Sequence, residues 1–146
     1  MIYYIKLQAL VHATEDALKV QKALKFFVSS TNIGDRELIE ELQSEGHHGN
    51  PITILSLQIK RKVDCLCFAN FVRERFLEKD VARLRKEMPE RLDNDQVFHL
   101  RFDKQAAYLQ RVKLTDSSNA ITVKVKIQTY PKSREKAGAI VEEFFG

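Results

Sequence analysis

The sequence predicts a single α+β domain over residues 1–146, a mostly antiparallel sheet with helices packed on one face. Three observations carry that prediction. Segments alternating apolar and polar residues, the pattern of half-buried strands, recur at 2–12, 52–61, 96–103 and 121–128. Segments with apolar residues at helical spacing fall between and after them. No internal repeat, low-complexity tract or linker divides the chain, so strands joined in a meander share one helical layer.

In chain order, Tyr3, Ile5, Leu7, Ala9 and Val11 form the inward side of a first strand, with Tyr4, Lys6, Gln8 and His12 opposite. Leu10 breaks the alternation. Thr14 is placed to cap the next helix, with Glu15 and Asp16 complementing its positive end. That helix presents Ala17, Val20, Leu24 and Phe27 to the sheet. Residues 35–44 fit either a helix or a strand, and 46–51 are turn-forming by composition. Ile52 to Arg61 is a strand with Leu55, Leu57 and Ile59 inward. Two helices follow, the first striped by Cys65, Phe68, Val72 and Phe76, the second by Val81, Leu84 and Met88 and ended by Pro89. Phe98, Leu100 and Phe102 face inward on the next strand, and 109–114 suggests another short one. Ile121, Val123, Val125 and Ile127 mark the clearest strand, and a last helix runs from Ser133 to Phe145.

Composition narrows the functional classes. The 146 residues are 44% hydrophobic and 30% charged, an ordinary globular balance. No run approaches the roughly 18 apolar residues a membrane helix needs. Residues 1–11 are broken by Lys6 and Gln8, with no basic segment before them and no cleavage site after. A cytoplasmic protein without membrane attachment is expected. Cys65 and Cys67, two apart in a helix, diverge and read as reduced buried thiols.

The net charge of +4 is modest, but its distribution is uneven. Between Gln96 and Arg134 eight bases face two acids, and between Asp35 and Glu45 five acids face one base. If each strand buries its apolar side, the outer sheet face collects Tyr4, Lys6, Gln8, Lys60, His99, Arg101, Lys124 and Lys126, with Asp103 as its one acid. Lysine and arginine neutralise phosphates and a ring stacks on bases, so such a face suits RNA. A solvated face, with lysines that discourage edge aggregation, is the plainer alternative.

No catalytic centre is legible. In Gly46-His47-His48-Gly49-Asn50-Pro51 the adjacent histidines diverge and nothing completes a metal set, while the glycines match no phosphate loop. The turn is more suited to presenting His47, His48 and Asn50 to a ligand. Asp103 and Lys104 lack a nucleophile with an adjacent base and read as a local ion pair. No enzymatic activity, cofactor or metal is expected.

Thr14-Glu15-Asp16, the histidine turn, Arg91-Leu92-Asp93 and Asp103-Lys104-Gln105-Ala106-Ala107-Tyr108 together resemble an archaeal family of small proteins described as predicted RNA-binding, exosome-associated subunits. The resemblance spans nearly the whole chain. It implies a fold like that of the fifth large-subunit ribosomal protein, sometimes likened to a double-stranded-RNA-binding domain, and an archaeal, cytoplasmic origin. One position departs: the family tends to carry a glycine shortly after Ala-Ala-Tyr, where this chain has Leu109, Gln110 and Arg111.

Residues and resemblance together give a non-enzymatic RNA-binding protein. Lys6, Lys60, Arg101, Lys124 and Lys126 are expected on phosphates, and His47, His48, Asn50, Lys104, Gln105 and Tyr108 are expected to add hydrogen bonds or stacking. The competing class is a scaffold that joins exosome- or ribosome-related proteins, or a homodimer sealed across the sheet face, without touching RNA.

Overall fold

The elements run β1 (Ile2–His12), α1 (Ala17–Phe27), β2 (Glu40–Glu45), β3 (Pro51–Ile59), α2 (Lys62–Arg75), α3 (Glu78–Arg91), β4 (Val97–Phe102), α4 (Lys104–Tyr108), β5 (Ile121–Ile127) and α5 (Arg134–Phe145). The computed structural model describes residues 1–31, 39–45, 49 and 51–146. The strands form a five-stranded sheet in the order β2-β3-β1-β5-β4, with every pairing antiparallel. The first strand is therefore the middle of the sheet, and the α+β architecture read from the sequence is the one observed.

One sheet face carries the core. Ile5, Leu7 and Ala9 on β1, Leu55 and Ile59 on β3, Phe98, Leu100 and Phe102 on β4, and Ile121, Val123, Val125 and Ile127 on β5 are each buried to within 1% of full exclusion. Residues alternate faces along a strand, so these sets project together under the helices. Phe27 of α1 packs on Phe102 with ring centroids 4.9 Å apart, and Phe145 of α5 packs on Phe98 at 5.6 Å. Each fully buried side chain of this size contributes about 1.5–3 kcal/mol, so the two helices are fixed over β4 by a few contacts.

The structure departs from the expected elements at several places, each for a local reason. Tyr3 is 53% exposed and Ile2 takes its inward place, because a bulge between Ile2 and Tyr4 shifts the pairing with β5. The cap of α1 is Asp16, whose carboxylate accepts from the Leu18 amide at 3.0 Å, in place of Thr14. The ambiguous segment yields the strand β2, paired to β3 with Leu42 opposite Ile54. Pro89 lies inside α3 and does not end it. Near the helix end its missing N–H costs one bond only, and the Pro89 carbonyl is taken up by Arg134 at 2.7 Å. Residues 109–114 make no strand, only a single bridge from Leu114 to Phe102 on the outer edge of β4.

The Asp103–Tyr108 segment has a clear local role. Asp103 caps α4 by accepting from the Ala106 amide at 3.1 Å, and Ala106 and Ala107 pack inward. The helix closes with the Gln110 amide donating to Ala107 and the Arg111 amide to Ala106, a Schellman arrangement in which Gln110 is left-handed at φ 63°. This is where the resembling family tends to place glycine. Exchanging Gln110→Gly is expected to raise stability by about 0.5–1 kcal/mol, since glycine carries no Cβ penalty there. Thermal melting checks it, and a lowered midpoint would show that the Gln110 side chain contributes more than its strain costs.

Cys65 is buried with its thiol 3.7 Å from the Ile59 carbonyl, and Cys67 is half-buried; both are free. Burial, and then the neighbouring Asp64 carboxylate, push the Cys65 thiol up to about 11, so it stays protonated at neutral pH. Among the described residues, no helix is long and apolar enough to cross a membrane, and no three metal-ligating side chains come together.

Candidate nucleic-acid interface

The face of the sheet away from the helices is laid out by register. One row across it reads Gln58, Lys6, Lys124 and His99, and the next reads Ser56, Gln8, Thr122 and Arg101. Tyr4 stands opposite Lys126, which faces Val97. Lys60 follows the last residue of β3 and is exposed. Four of the residues expected on phosphates, Lys6, Arg101, Lys124 and Lys126, are thus brought to one face, with Lys60 exposed just past the end of β3.

Lys6 and Lys124 are direct cross-strand neighbours. Side chains so placed stand about 4.5–5.5 Å apart at Cβ, and like charges there disfavour the free protein. Among the described residues, the side chains of Lys6, Lys60, Arg101 and Lys124 have no hydrogen-bonding or ion-pairing partner. Lys126 is anchored differently, its ammonium donating to the Asp95 carbonyl.

His99 is held by the segment before β4. Asp93 accepts from the amides of Asp95 at 2.9 Å and Val97 at 3.0 Å, and its second oxygen faces His99 Nε2 at 2.8 Å. Partial burial works against the charge on Asp93, but His99 and the two amides outweigh it and hold the carboxyl below its ordinary range. Arg91 donates to the His99 carbonyl at 3.2 Å and to Glu87 at 3.0 Å. Arg91-Leu92-Asp93 therefore braces the entry to β4 and sets the imidazole on the open face.

Between β1, β5, β4 and the loop before β5 the face sinks into a recess of about 400 Å³, with Gln8, His99, Arg101, Ser118, Thr122 and Lys124 on its walls. Lys104 does not line the recess but is tied to the loop that does. Its ammonium, with the side chain 11% exposed, meets Glu15 at 3.1 Å, Asn119 Oδ1 at 2.6 Å and the Leu10 carbonyl. All three of its donors are used, so it pins the 115–120 loop to the end of β1.

Other expected site residues lie elsewhere. Gln105 is exposed on α4, and Tyr108 packs against α1 with Lys19 and Lys22 over its ring at 5.6 and 5.2 Å. Neither is on the sheet face. His47, His48 and Asn50 lie outside the described residues. Asp103 is turned to the α4 cap, whereas Glu40, opposite Ser56, adds an acid to the open face that the sequence reading lacked. Sequence reasoning also passed over an apolar strip at the β2 end of that face. Leu42 is 62% exposed opposite Ile54, which stands opposite Leu10, and Ile52 stands opposite His12. The signal was present, since Ile52 and Ile54 share the parity of Ser56 and Gln58.

A family model described as RNA binding matches residues 4–127. An RNA-binding protein of Pyrococcus abyssi is 33% identical over 141 residues, covering 96% of this chain and 91% of the relative. An uncharacterized protein of Methanocaldococcus jannaschii is 33% identical over 150 residues, covering 100% of this chain and 99% of its own. Among solved structures, a protein from Archaeoglobus fulgidus is similar with a TM-score of 0.85 and 31% identity, covering 99% of each chain.

Proposed function

The chain belongs to this RNA-binding family, and on that premise we propose that it binds RNA directly, as a non-enzymatic protein, through the open face of the sheet. The observation that carries the reading is the Lys6–Lys124 pair with Arg101 and Lys60 around it, four cations with no acid on them among the described residues. A polyanion laid across β1, β5 and β4 relieves that repulsion and releases its own counterions. The name carried by the Pyrococcus relative supports the ligand class.

An unpaired strand suits the face best. The Tyr4 ring and the His99 imidazole flank the basic rows, and the recess beside Arg101 and Thr122 offers hydrogen-bond donors and acceptors. Unstacked bases can enter such a recess and stack on such rings, whereas a duplex presents mainly phosphates and 2′-hydroxyls.

Fluorescence titration with single-stranded and duplex RNA across a salt series tests this. Wild type is expected to bind with an affinity that falls steeply with salt, the single strand more tightly than the duplex. The Lys6→Ala/Lys124→Ala variant should lower the salt slope by about 1.4, the value for two lost contacts to a single strand. An unchanged slope would remove these lysines from the interface, and no binding at low salt would remove the direct role.

A second reading rests on the apolar strip of Leu10, Leu42, Ile52 and Ile54 beside the exposed edge strand β2. Such a patch fits a protein partner, and the expected association with RNA processing or the exosome would be made there. Leu42→Glu separates the two readings, since it should abolish partner capture and leave RNA affinity unchanged.

A further inference from the structure

A second basic surface lies on the helical side. Between α1, the end of α2 and the end of α4 runs a groove of about 430 Å³, lined by Lys22, Lys25, Arg75, Tyr108, Phe71 and Gln110 among others. Its described walls include no carboxylate; Glu15 and Asp16 lie at the other end of α1, beyond Lys19. The Arg75 guanidinium stands over the Phe71 ring at 3.9 Å, donates to the Phe71 carbonyl at 3.2 Å and meets the exposed Glu74 carboxylate at 3.7 Å. Lys22 stands over the Tyr108 ring at 5.2 Å, while Lys25 is exposed. Cations interleaved with ring faces, with no carboxylate on the described walls and Glu74 directed to solvent beside Arg75, form a site for a phosphate-bearing chain.

The groove is joined to the open sheet face by the segment after α4. Gln110 lines the groove, Arg111 and Lys113 are exposed, and Val112 and Leu114 are buried along the outer edge of β4. The Asp103 amide donates to the Lys113 carbonyl at 2.9 Å, and the Thr115 amide to the Arg101 carbonyl at 3.0 Å. This fixes Lys113 beside Asp103 and brings the segment level with Arg101 on the sheet face. Asp80, buried at the start of α3, holds the same strap by accepting from the Leu114 amide at 3.2 Å. Extended chain covers at most about 3.3–3.6 Å per residue, so Gln110 to Thr115 is a short bridge, and it carries a cation at alternate positions.

We infer that the groove is a second RNA-binding site and that one RNA strand runs from the sheet face, around the β4 edge past Lys113 and Arg111, into the groove between α1 and α4. The inference rests on the sheet face being an RNA site, and adds that a longer RNA engages two faces of the molecule at once.

The test compares RNA of about 6 nucleotides, enough for the sheet face alone, with RNA of about 20 nucleotides, a span set against the roughly 4–16 nucleotides bound by single-strand platforms. Wild type is set beside Lys22→Ala/Lys25→Ala/Arg111→Ala, three exposed positions whose loss leaves the core intact, with melting curves to confirm folding. The groove variant is expected to bind the long RNA roughly tenfold to fiftyfold more weakly near 0.15 M salt, with a salt slope smaller by about 2, and to bind the short RNA as wild type does. Unchanged affinity for the long RNA would overturn the inference and leave the sheet face standing. Equal weakening of both lengths would overturn it too, by making the groove the primary site. If wild type binds neither RNA, the reading of the sheet face fails first, and the path fails with it.

Discussion

Replacing Lys6, Lys60, Arg101 and Lys124 together by alanine is expected to weaken single-stranded RNA binding on the order of a hundredfold at about 0.15 M salt, with no loss of fold. Each cation that meets a phosphate contributes a salt-dependent increment, and four such increments multiply. The fold should survive because all four side chains point away from the core and have no partners among the described residues. Removing the Lys6–Lys124 repulsion should slightly raise the melting temperature. That pairing of outcomes, weaker binding with equal or greater stability, distinguishes a ligand site from a structural one. A variant that binds as wild type does would reduce the basic face to a solvated surface.

Lys104→Ala should show the opposite pattern. Its ammonium joins Glu15, Asn119 and the Leu10 carbonyl, and its loss leaves the partly buried Glu15 carboxylate with the His12 amide and takes this donor from the other two acceptors. Hydrogen bonds to charged groups contribute about 1.5–3 kcal/mol, so a destabilisation of about 2–3 kcal/mol is expected. For a chain of this size that lowers the melting midpoint by about 5–10 °C. The Glu15→Gln variant and the double variant complete a cycle, and their coupling should account for at least about 0.5 kcal/mol of the loss. RNA affinity should fall only a few-fold, through the loosened 115–120 loop. A midpoint within 1 °C of wild type, against the roughly 2–4 °C expected per kcal/mol, would show that the ion pair holds nothing in place.

What the residues disclosed in advance depended on how local the signal was. Alternation identified β1, β3, β4 and β5 because one face of each carries buried apolar residues, and the strand expected at Ile121–Gln128 is observed as Ile121–Ile127. β2 was ambiguous because all six of its residues are exposed, so no buried parity marks it. The bulge at Tyr3 and the single bridge at Leu114 depend on partners far along the chain, which alternation does not encode. The same limit governs the site. The cations on β1, β4 and β5 were legible from parity, whereas Lys104, read as a ligand contact, is a long-range tie to residues 89 and 94 positions away. Tyr108 was recognised as part of a distinctive segment, but its place beside α1 follows from how α4 packs.

On the proposed reading, RNA lies across β1, β5 and β4 on the face opposite the helices. The most direct test is to follow the backbone amide resonances of the labelled protein while a short single-stranded RNA of about 6 nucleotides is added, a length suited to one platform. Shifts are expected to concentrate at residues 4–8, 56–60, 97–101 and 122–126, with the helices and β2 little changed. Shifts confined to β2 and the apolar strip, or to the helical layer, would contradict it.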